Sequence, residues 1–261
     1  EACGTSTDVS LPCMMSRIGR SDYNRDRILS EEQLPSLLNR AGANVLWIDN
    51  QSGCKGACTG VSTRATTPHP QDCPNGECGD RVFLSELKGE LGKLPADRPT
   101  VLFLHMMGSH GPAYSLRSDK ARKLFEPECT DADLKSCSRE SVMNAYDNSV
   151  RETDYVLASL IRMLKDTSGS IDSALVYVSD HGESLGEGGL YLHGAPYWMA
   201  PKEQTEVPMV LWMNSGFEKT FSINRSKLEK NAAGRVTHEN LYHTVLGLLS
   251  VKSTTYVPTY D

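Results

Sequence analysis

Four apolar runs along the chain predict the strands of a sheet. The runs are ANVLWID (Ala43–Asp49), TVLFLHM (Thr100–Met106), SALVYVS (Ser173–Ser179) and VPMVLWM (Val207–Met213). None of them alternates cleanly between apolar and polar residues. Near-continuous apolar strands are typical of a parallel sheet that is covered on both faces.

Three amphipathic segments before, between and after these runs predict helices. The segments are 30–42, 138–167 and 237–250. The last begins with Thr237, which suits an N-cap. In the first, Ser30 and Gln33 could form a capping box, whereas Pro35 favours a later helix start.

Alternating strands and helices predict an α/β fold with a mostly parallel central sheet and helices on both faces. Two segments, 59–79 and 109–133, are rich in proline, glycine and charge. We expect them to be irregular surface loops near a functional site, because such loops carry function in this class of fold.

Composition narrows the class of protein. The chain has 261 residues, is 39% hydrophobic and carries a net charge of −6. This length and apolar content suit one large globular domain. A general nucleic-acid partner is not expected, because phosphate neutralisation needs a basic face. No run approaches the roughly 18 apolar residues that span a bilayer.

The eight cysteines fall into four sequence-local pairs. They are Cys3 and Cys13, Cys54 and Cys58, Cys73 and Cys78, and Cys129 and Cys137. An even count with close pairing favours four short-loop disulfides and an oxidising compartment. Zinc binding by thiolates is the competing interpretation, but a strong zinc pattern needs CxxC units and none occurs. Bridges over such short loops would chiefly fix loop shape.

Polar, glycine-punctuated residues follow the first three predicted strands. They are NQSGCKG (Asn50–Gly56), HMMGSHGP with His105 and His110, and DHGES (Asp180–Ser184). Ligands of open parallel sheets bind beyond the carboxyl ends of the strands. The sequence therefore predicts one convergent site at this edge.

Asp180 and His181 are candidate metal ligands. A carboxylate oxygen and an imidazole nitrogen both suit zinc, and Gly182 permits the bend that would aim adjacent side chains at one ion. The alternative interpretation of these residues is an acidic turn that caps a helix.

The segment CGTSTDVSLPC (Cys3–Cys13) supplies candidate nucleophiles before a possible short helix. The hydroxyls belong to Thr5, Ser6, Thr7 and Ser10. A helix start favours phosphate, but an N-cap is the commoner role for such a residue. A threonine also needs a base or a metal ion to become a good nucleophile.

Four further residues are weighed by their context. Lys55 could pair with a phosphate or could be a solvated lysine in a tight loop. His105 lies inside an apolar run, which favours a structural role. His110 and His193 each lie beside glycine, which favours function.

The ordered set CGTSTDVSLPC, IDNQSGCKG, HMMGSHGPAY, SDHGESLGEGGLYLHGAP and EQTEVPMVLW resembles the lipid A phosphoethanolamine transferases, which include the mobile colistin-resistance enzymes. The resemblance covers essentially the whole chain, although DHG alone would indicate only the wider alkaline phosphatase and sulfatase superfamily. It implies that residues 1–261 form a sulfatase-like catalytic domain on the periplasmic face of the bacterial inner membrane. The family's N-terminal membrane anchor would be absent.

The resemblance also implies roles for individual residues. Thr7 matches the nucleophile, which is also a zinc ligand, and Asp180 and His181 match the Asp-His pair of the zinc site. The residues around the phosphoethanolamine group match Asn50, Gln51, Lys55, His110, Glu183 and His193, with His110 or His193 protonating a leaving oxygen. Gln51 replaces a frequent asparagine. The family's remaining ligand, a glutamate in a Gly-Glu motif upstream of the nucleophile, has no counterpart before Thr7, and Glu1 does not match its context. We therefore expect a domain truncated at its N-terminus.

The implied activity is zinc-dependent transfer of phosphoethanolamine from phosphatidylethanolamine to a lipid A phosphate of lipopolysaccharide, through a phosphoethanolamine-threonine intermediate, with polymyxin and colistin resistance as its consequence. A sulfatase-like hydrolase is the first alternative, because CMMSR (Cys13–Arg17) loosely matches the sulfatase Cys-x-Pro-Ser-Arg motif. Its third position is methionine, and a Cys3–Cys13 disulfide would block formylglycine formation. A non-enzymatic, disulfide-stapled binding domain is the second alternative.

Overall fold

The computed structural model describes residues 1–67 and 79–261. The strands are β1 (Asn44–Asp49), β2 (Ser62–Ala65), β3 (Thr100–His105), β4 (Ala174–Val178), β5 (Ser184–Leu185), β6 (Tyr191–Leu192) and β7 (Met209–Met213). Four of these, β1, β3, β4 and β7, lie within the four apolar runs. The short edge strand β2 lies in a segment that was predicted to be irregular, so that prediction is wrong over 62–65.

The described strands form one parallel three-stranded sheet and two antiparallel pairs. Strands β2, β1 and β3 form a parallel sheet in that order, with Asp49 opposite His105. Strand β7 runs antiparallel to β4, pairing Ala174 with Met213. Apolar composition alone does not encode strand direction, since a strand buried on both faces is apolar whichever way it runs. Strands β5 and β6 form a small antiparallel ribbon.

The described residues form helices on both faces of these strands. The helices are α1 (Thr7–Met14), α2 (Arg25–Ser30), α3 (Leu34–Arg40), α4 (Val82–Leu91), α5 (Arg139–Asp166), α6 (Lys202–Thr205), α7 (Ser215–Thr220), α8 (Arg225–Ala232) and α9 (His238–Leu248). Helices α5 and α9 confirm the two longer predictions. Helix α4 was not predicted. In the part of the chain described, no helix has both the length and the apolarity to cross a bilayer.

The helix ends follow from local chemistry. Ser138 accepts from the Ser141 amide at the start of α5, and Thr237 forms a capping box with Asn240 at the start of α9. The possible capping box of Ser30 is wrong, because Ser30 ends α2. Pro35 instead occupies the first turn of α3, where its missing N–H costs nothing.

Alternate side chains of β3 and β4 enter the same two apolar clusters, which joins the strands into one layer. Val101 and Val176 pack with helices α1, α3 and α9. Leu102 and Leu175 pack with α4 and α5 on the opposite face. The predicted sandwich of helices around a sheet is therefore confirmed, and it leaves the strand ends as the open edge.

Three of the four predicted cysteine pairs are disulfides. They are Cys3–Cys13, Cys54–Cys58 and Cys129–Cys137. The predicted pair of Cys73 and Cys78 lies outside the described residues. The first bridge encloses Thr7 and the second encloses Lys55, whereas Cys129 of the third packs in the apolar cluster that contains Tyr114.

His238, the first residue of α9, is buried and ties three segments together. Its Nε2 donates to the Ser179 carbonyl at 2.9 Å, and its Nδ1 accepts from the Cys3 amide at 3.0 Å. Protonating Nδ1 would remove that acceptor. Burial accordingly lowers the pKa of His238 from 6.5 to about 4.

We predict that acid destabilises the fold through His238. Below about pH 6.5 the unfolded chain binds a proton at this histidine, whereas the folded chain does not until about pH 4. The free energy of unfolding should therefore fall as the pH is lowered through this window, by up to about 3 kcal/mol for this group. Urea denaturation between pH 7.5 and 4 measures it.

His238→Asn is the matched control, since asparagine keeps an acceptor near the Cys3 amide but does not titrate. The variant should be less stable at pH 7.5 and lose less stability on acidification. Equal pH slopes in the two proteins would contradict the prediction.

Candidate active site

The candidate site lies at the carboxyl ends of the strands, as the sequence predicts. Asp180 and His181 follow β4, His110 follows β3, and His193 follows β6. Thr7 reaches the same place as the first residue of α1, at the positive end of that helix. The loop of His193 is docked there because the Gly194 amide and the Ala195 carbonyl pair with Thr5.

Thr7 and Asp180 each place a potential ligand atom near His181 Nε2. Thr7 Oγ1 lies 3.3 Å from His181 Nε2, and Asp180 Oδ2 lies 3.6 Å from the same nitrogen. His181 Nδ1 donates to the Gly182 carbonyl at 3.0 Å, which leaves Nε2 with a free lone pair. Asp180 Oδ2 is buried with no hydrogen-bond partner within the described ranges.

These residues fit a metal ion. A tetrahedral ion with ligand bonds of about 2.0–2.1 Å separates neighbouring ligand atoms by about 3.3 Å. The two distances to His181 Nε2 are close to that value. An orphaned carboxylate oxygen beside an open imidazole nitrogen is the donor set that a divalent cation would satisfy.

Glu183 forms a second cluster with His181 and His193, whose potential ligand atoms all lie within 4.8 Å of one another. Its oxygens, however, are already engaged. Oε1 accepts from His193 Nδ1 at 3.0 Å and from the Gly111 amide at 3.1 Å, and Oε2 accepts from the Tyr114 hydroxyl at 3.0 Å. The buried carboxylate therefore joins the loops that carry His110 and His193.

The pKa values of His193 and His110 are shifted in opposite directions. The hydrogen bond to Glu183 raises the pKa of His193. Burial lowers the pKa of His110, whose Nδ1 donates to the Gly111 carbonyl at 2.7 Å. Their rings lie 4.8 Å apart and each leaves Nε2 available. Burial raises the pKa of Glu183, but the hydrogen bonds from His193 and Gly111 lower it overall.

The loop after β1 is organised by Asp49, which accepts from the Gln51 and Gly53 amides. Gln51 accepts from Ser52. Lys55 Nζ donates to the Ser52 carbonyl and hydroxyl at 2.9 and 2.8 Å. The contacts described for the Gln51 and Lys55 side chains thus stay within this loop and do not reach the histidines.

Asn50 connects to the site through Asp80, which the sequence analysis missed. Asn50 Nδ2 donates to Asp80 Oδ1 at 2.8 Å, and Asp80 also accepts from the Met107 and Gly108 amides ahead of His110. Burial raises the pKa of Asp80. A lone aspartate ahead of an unpredicted helix carries no pattern that could have identified it.

Two histidines have structural roles. His105 Nδ1 lies 2.9 Å from Asp49 Oδ2, which confirms the structural interpretation of that residue. His238 is the other, since it bonds to the Ser179 carbonyl and the Cys3 amide. Cys13 is fully buried and bonded to Cys3, so the cysteine of the CMMSR segment is not available for conversion to formylglycine.

Comparison with known proteins identifies the family. The sulfatase family model matches residues 2–251. The phosphoethanolamine transferase EptA of Escherichia coli is 40% identical over 258 residues, which cover 98% of this chain and 47% of that protein. The chain thus spans about half the length of the curated relatives it matches.

Solved structures that match the whole chain include two soluble domains. One is the soluble domain of lipooligosaccharide phosphoethanolamine transferase A from Neisseria meningitidis, with a TM-score of 0.95, 40% identity and 78% of that chain covered. The other is the C-terminal periplasmic domain of phosphoethanolamine transferase EptC from Campylobacter jejuni, with a TM-score of 0.84, 38% identity and 79% covered. This chain therefore belongs to the sulfatase family and, within it, to the phosphoethanolamine transferases whose soluble domains it matches.

Proposed function

We propose that this chain is the periplasmic catalytic domain of a zinc-dependent phosphoethanolamine transferase of the bacterial inner membrane. The donor is phosphatidylethanolamine and the acceptor is a phosphate of lipid A in lipopolysaccharide, so that transfer confers polymyxin and colistin resistance. The names of the relatives support the transferred group. The observation that carries the proposal is the convergence of Thr7 Oγ1, Asp180 Oδ2 and His181 Nε2.

Thr7 is the proposed nucleophile because the other three candidate hydroxyls donate to oxygen acceptors. Thr5 donates to the Ala195 carbonyl, Ser6 donates to Asp8, and Ser10 donates to the Asp180 carbonyl. The Thr7 hydroxyl instead faces an imidazole nitrogen at the start of a helix. Such a position suits an oxygen that must lose its proton and meet a phosphate.

Thr7, Asp180 and His181 would hold the zinc ion, in accord with the oxygen and imidazole ligands that zinc takes. A bound ion supplies Lewis-acid stabilisation of the charge on the nucleophile and on the phosphoryl oxygens. The Gly182 carbonyl fixes the ring orientation of His181.

The transfer takes place in two displacements at phosphorus. Thr7 Oγ1 loses its proton to solvent and forms a bond to phosphorus while the bond to the diacylglycerol oxygen breaks. His193, paired with Glu183 as a histidine–carboxylate couple, donates a proton to that leaving oxygen. A lipid A phosphate oxygen then attacks the phosphoethanolamine-threonine, and Thr7 Oγ1 leaves and takes up a proton from solvent.

Asn50, Gln51, Lys55 and His110 complete the proposed substrate site. Lys55 is exposed enough to turn from Ser52 to a phosphate oxygen as a point charge. His110 lies beside His193 and presents Nε2 to the transferred group. The alternative is a metallo-hydrolase of the sulfatase type that uses water as the acceptor. Its support is the match to the sulfatase family model.

We predict that Thr7→Ala abolishes transfer, by at least about 10³-fold, because the atom that accepts the phosphoryl group is removed. Intact-mass and peptide analysis of the full-length protein with phosphatidylethanolamine should locate a phosphoethanolamine adduct on Thr7. Ser6→Ala is the matched control and should keep both activity and adduct. An adduct on Thr5 or Ser6 would contradict the assignment.

We predict that metal removal abolishes transfer and that Asp180→Asn weakens zinc binding by more than about tenfold, since loss of supporting groups alone costs 10–100-fold. Equilibrium dialysis with zinc measures this without reference to activity. Asp154→Asn, an exposed carboxylate on α5, should bind zinc like the wild type. Unchanged zinc affinity in Asp180→Asn would exclude Asp180 as a ligand.

A further inference from the structure

Gln204 is a buried amide in an otherwise accessible part of the chain. It lies in the four-residue helix α6 and is 1% exposed, whereas its neighbours Glu203 and Thr205 are partly exposed. The EQTEVPMVLW segment that contains it has no role in the chemistry above. A buried amide must be hydrogen-bonded, so its partners show what it holds.

The Gln204 side chain bonds to residues on both sides of His193. Nε2 donates to the Leu192 carbonyl at 3.1 Å and to Ser184 Oγ at 2.9 Å. Oε1 accepts from the Ala195 amide at 3.1 Å. One planar amide thus fixes the residue before His193, the second residue after it, and the strand that follows Glu183.

The backbone at Leu192 needs such a clamp. Leu192 has a φ of 65°, in the left-handed region that costs a non-glycine residue free energy. Strained residues persist where several contacts determine their conformation together. The Gln204 bond to the Leu192 carbonyl and the pairing of Gly194 and Ala195 with Thr5 supply those contacts.

The Gln204 backbone also holds the segment of the metal ligands. Its carbonyl accepts from the Gly182 amide at 3.0 Å. A Cβ at Gly182 would come within 2.1 Å of the Glu203 carbonyl oxygen, so only glycine allows this approach. α6 therefore seats the His181 segment through its backbone and the His193 segment through one side chain.

We propose that Gln204 is a positioning residue that sets His193 against His181 and Thr7. The inference builds on the proposed function, because the imidazole it positions is the proposed proton donor. The rings of His193 and His181 lie 4.4 Å apart, and this separation depends on the two segments that Gln204 joins. Misplacing a reacting group by about 1 Å can cost about 10²-fold in rate.

The test replaces Gln204 by methionine, which keeps length and burial but removes the donor and acceptor. Gln33→Met is the matched control. Gln33 precedes α3, is 3% exposed, and its Nε2 likewise donates to a backbone carbonyl, that of Ile28. Ser184→Ala is the second variant. It removes one acceptor of the Gln204 amide with a change too small to threaten folding.

In the full-length protein, Gln204→Met should lower kcat for transfer by about 10²-fold and change KM for phosphatidylethanolamine by less than about threefold. Ser184→Ala should lower kcat in the same direction by about 2- to 10-fold. Gln33→Met should leave both parameters unchanged. Wild-type kcat in a folded Gln204→Met protein would overturn the proposal.

A readout independent of activity separates this proposal from the proposed function. At fixed pH, the ring ¹⁵N shifts of His193 and the hydrogen exchange of the Ala195 amide should change in Gln204→Met and stay as in the wild type in Gln33→Met. If wild-type protein transfers no phosphoethanolamine but these signals move, the transferase assignment fails and the positioning role stands. Unmoved signals would overturn the positioning role.

Discussion

The site depends on one buried carboxylate that accepts hydrogen bonds from two distant loops. Glu183 receives His193 on one side and Gly111 with Tyr114 on the other. Hydrogen bonds to a charged acceptor contribute more than neutral ones, and losing a partner would leave the buried charge uncompensated. The stability of the assembled site is therefore linked to both loops being in place. Burial of the Glu183 carboxylate would be unfavourable without these hydrogen bonds, and with them Glu183 connects the two loops of the candidate site.

The strands provide a rigid edge at which the loops that Glu183 connects meet. Parallel pairing brings the ends of β1 and β3 level, with Asp49 opposite His105, and Asp49 then shapes the loop that carries Lys55. Asp80 fixes the start of the next loop in the same manner, by accepting two backbone amides before His110. Asp80 is buried and Asp49 is partly buried, and each satisfies backbone donors at the start of a loop that leaves the sheet. The strands thereby fix where these loops begin.

The sequence predicts the elements of this fold that depend on short-range patterns of residues. The apolar runs and long amphipathic periods give β1, β3, β4, α5 and α9, and three close cysteine pairs are bridged as expected. Strand β2 and helix α4 were missed, and the reversal of β7 leaves no trace in composition, because pairing direction is set by tertiary context. The site residues likewise include some that local sequence patterns predict and some that they do not. Glycine-flanked ionisable residues at strand ends indicated the histidines, whereas Asp80 and Gln204 act through partners that no local spacing reveals.

One buried carboxylate oxygen of the described residues, Asp180 Oδ2, has neither a hydrogen bond nor a guanidinium beside it. Glu31 Oε2 and Asp180 Oδ2 are both buried carboxylate oxygens without a hydrogen bond. Glu31 Oε2 lies 2.7 Å from the Arg17 guanidinium, so its charge is offset. Asp180 Oδ2 has a histidine nitrogen at 3.6 Å, and His181 spends its one N–H on the Gly182 carbonyl. An unpaired buried acceptor costs about 1–3 kcal/mol, and more when it is charged. The fold carries that cost beside the Thr7 hydroxyl, and a cation bound as proposed would remove it. The same unmet demand would therefore contribute to the affinity for the cation on which the proposed chemistry depends.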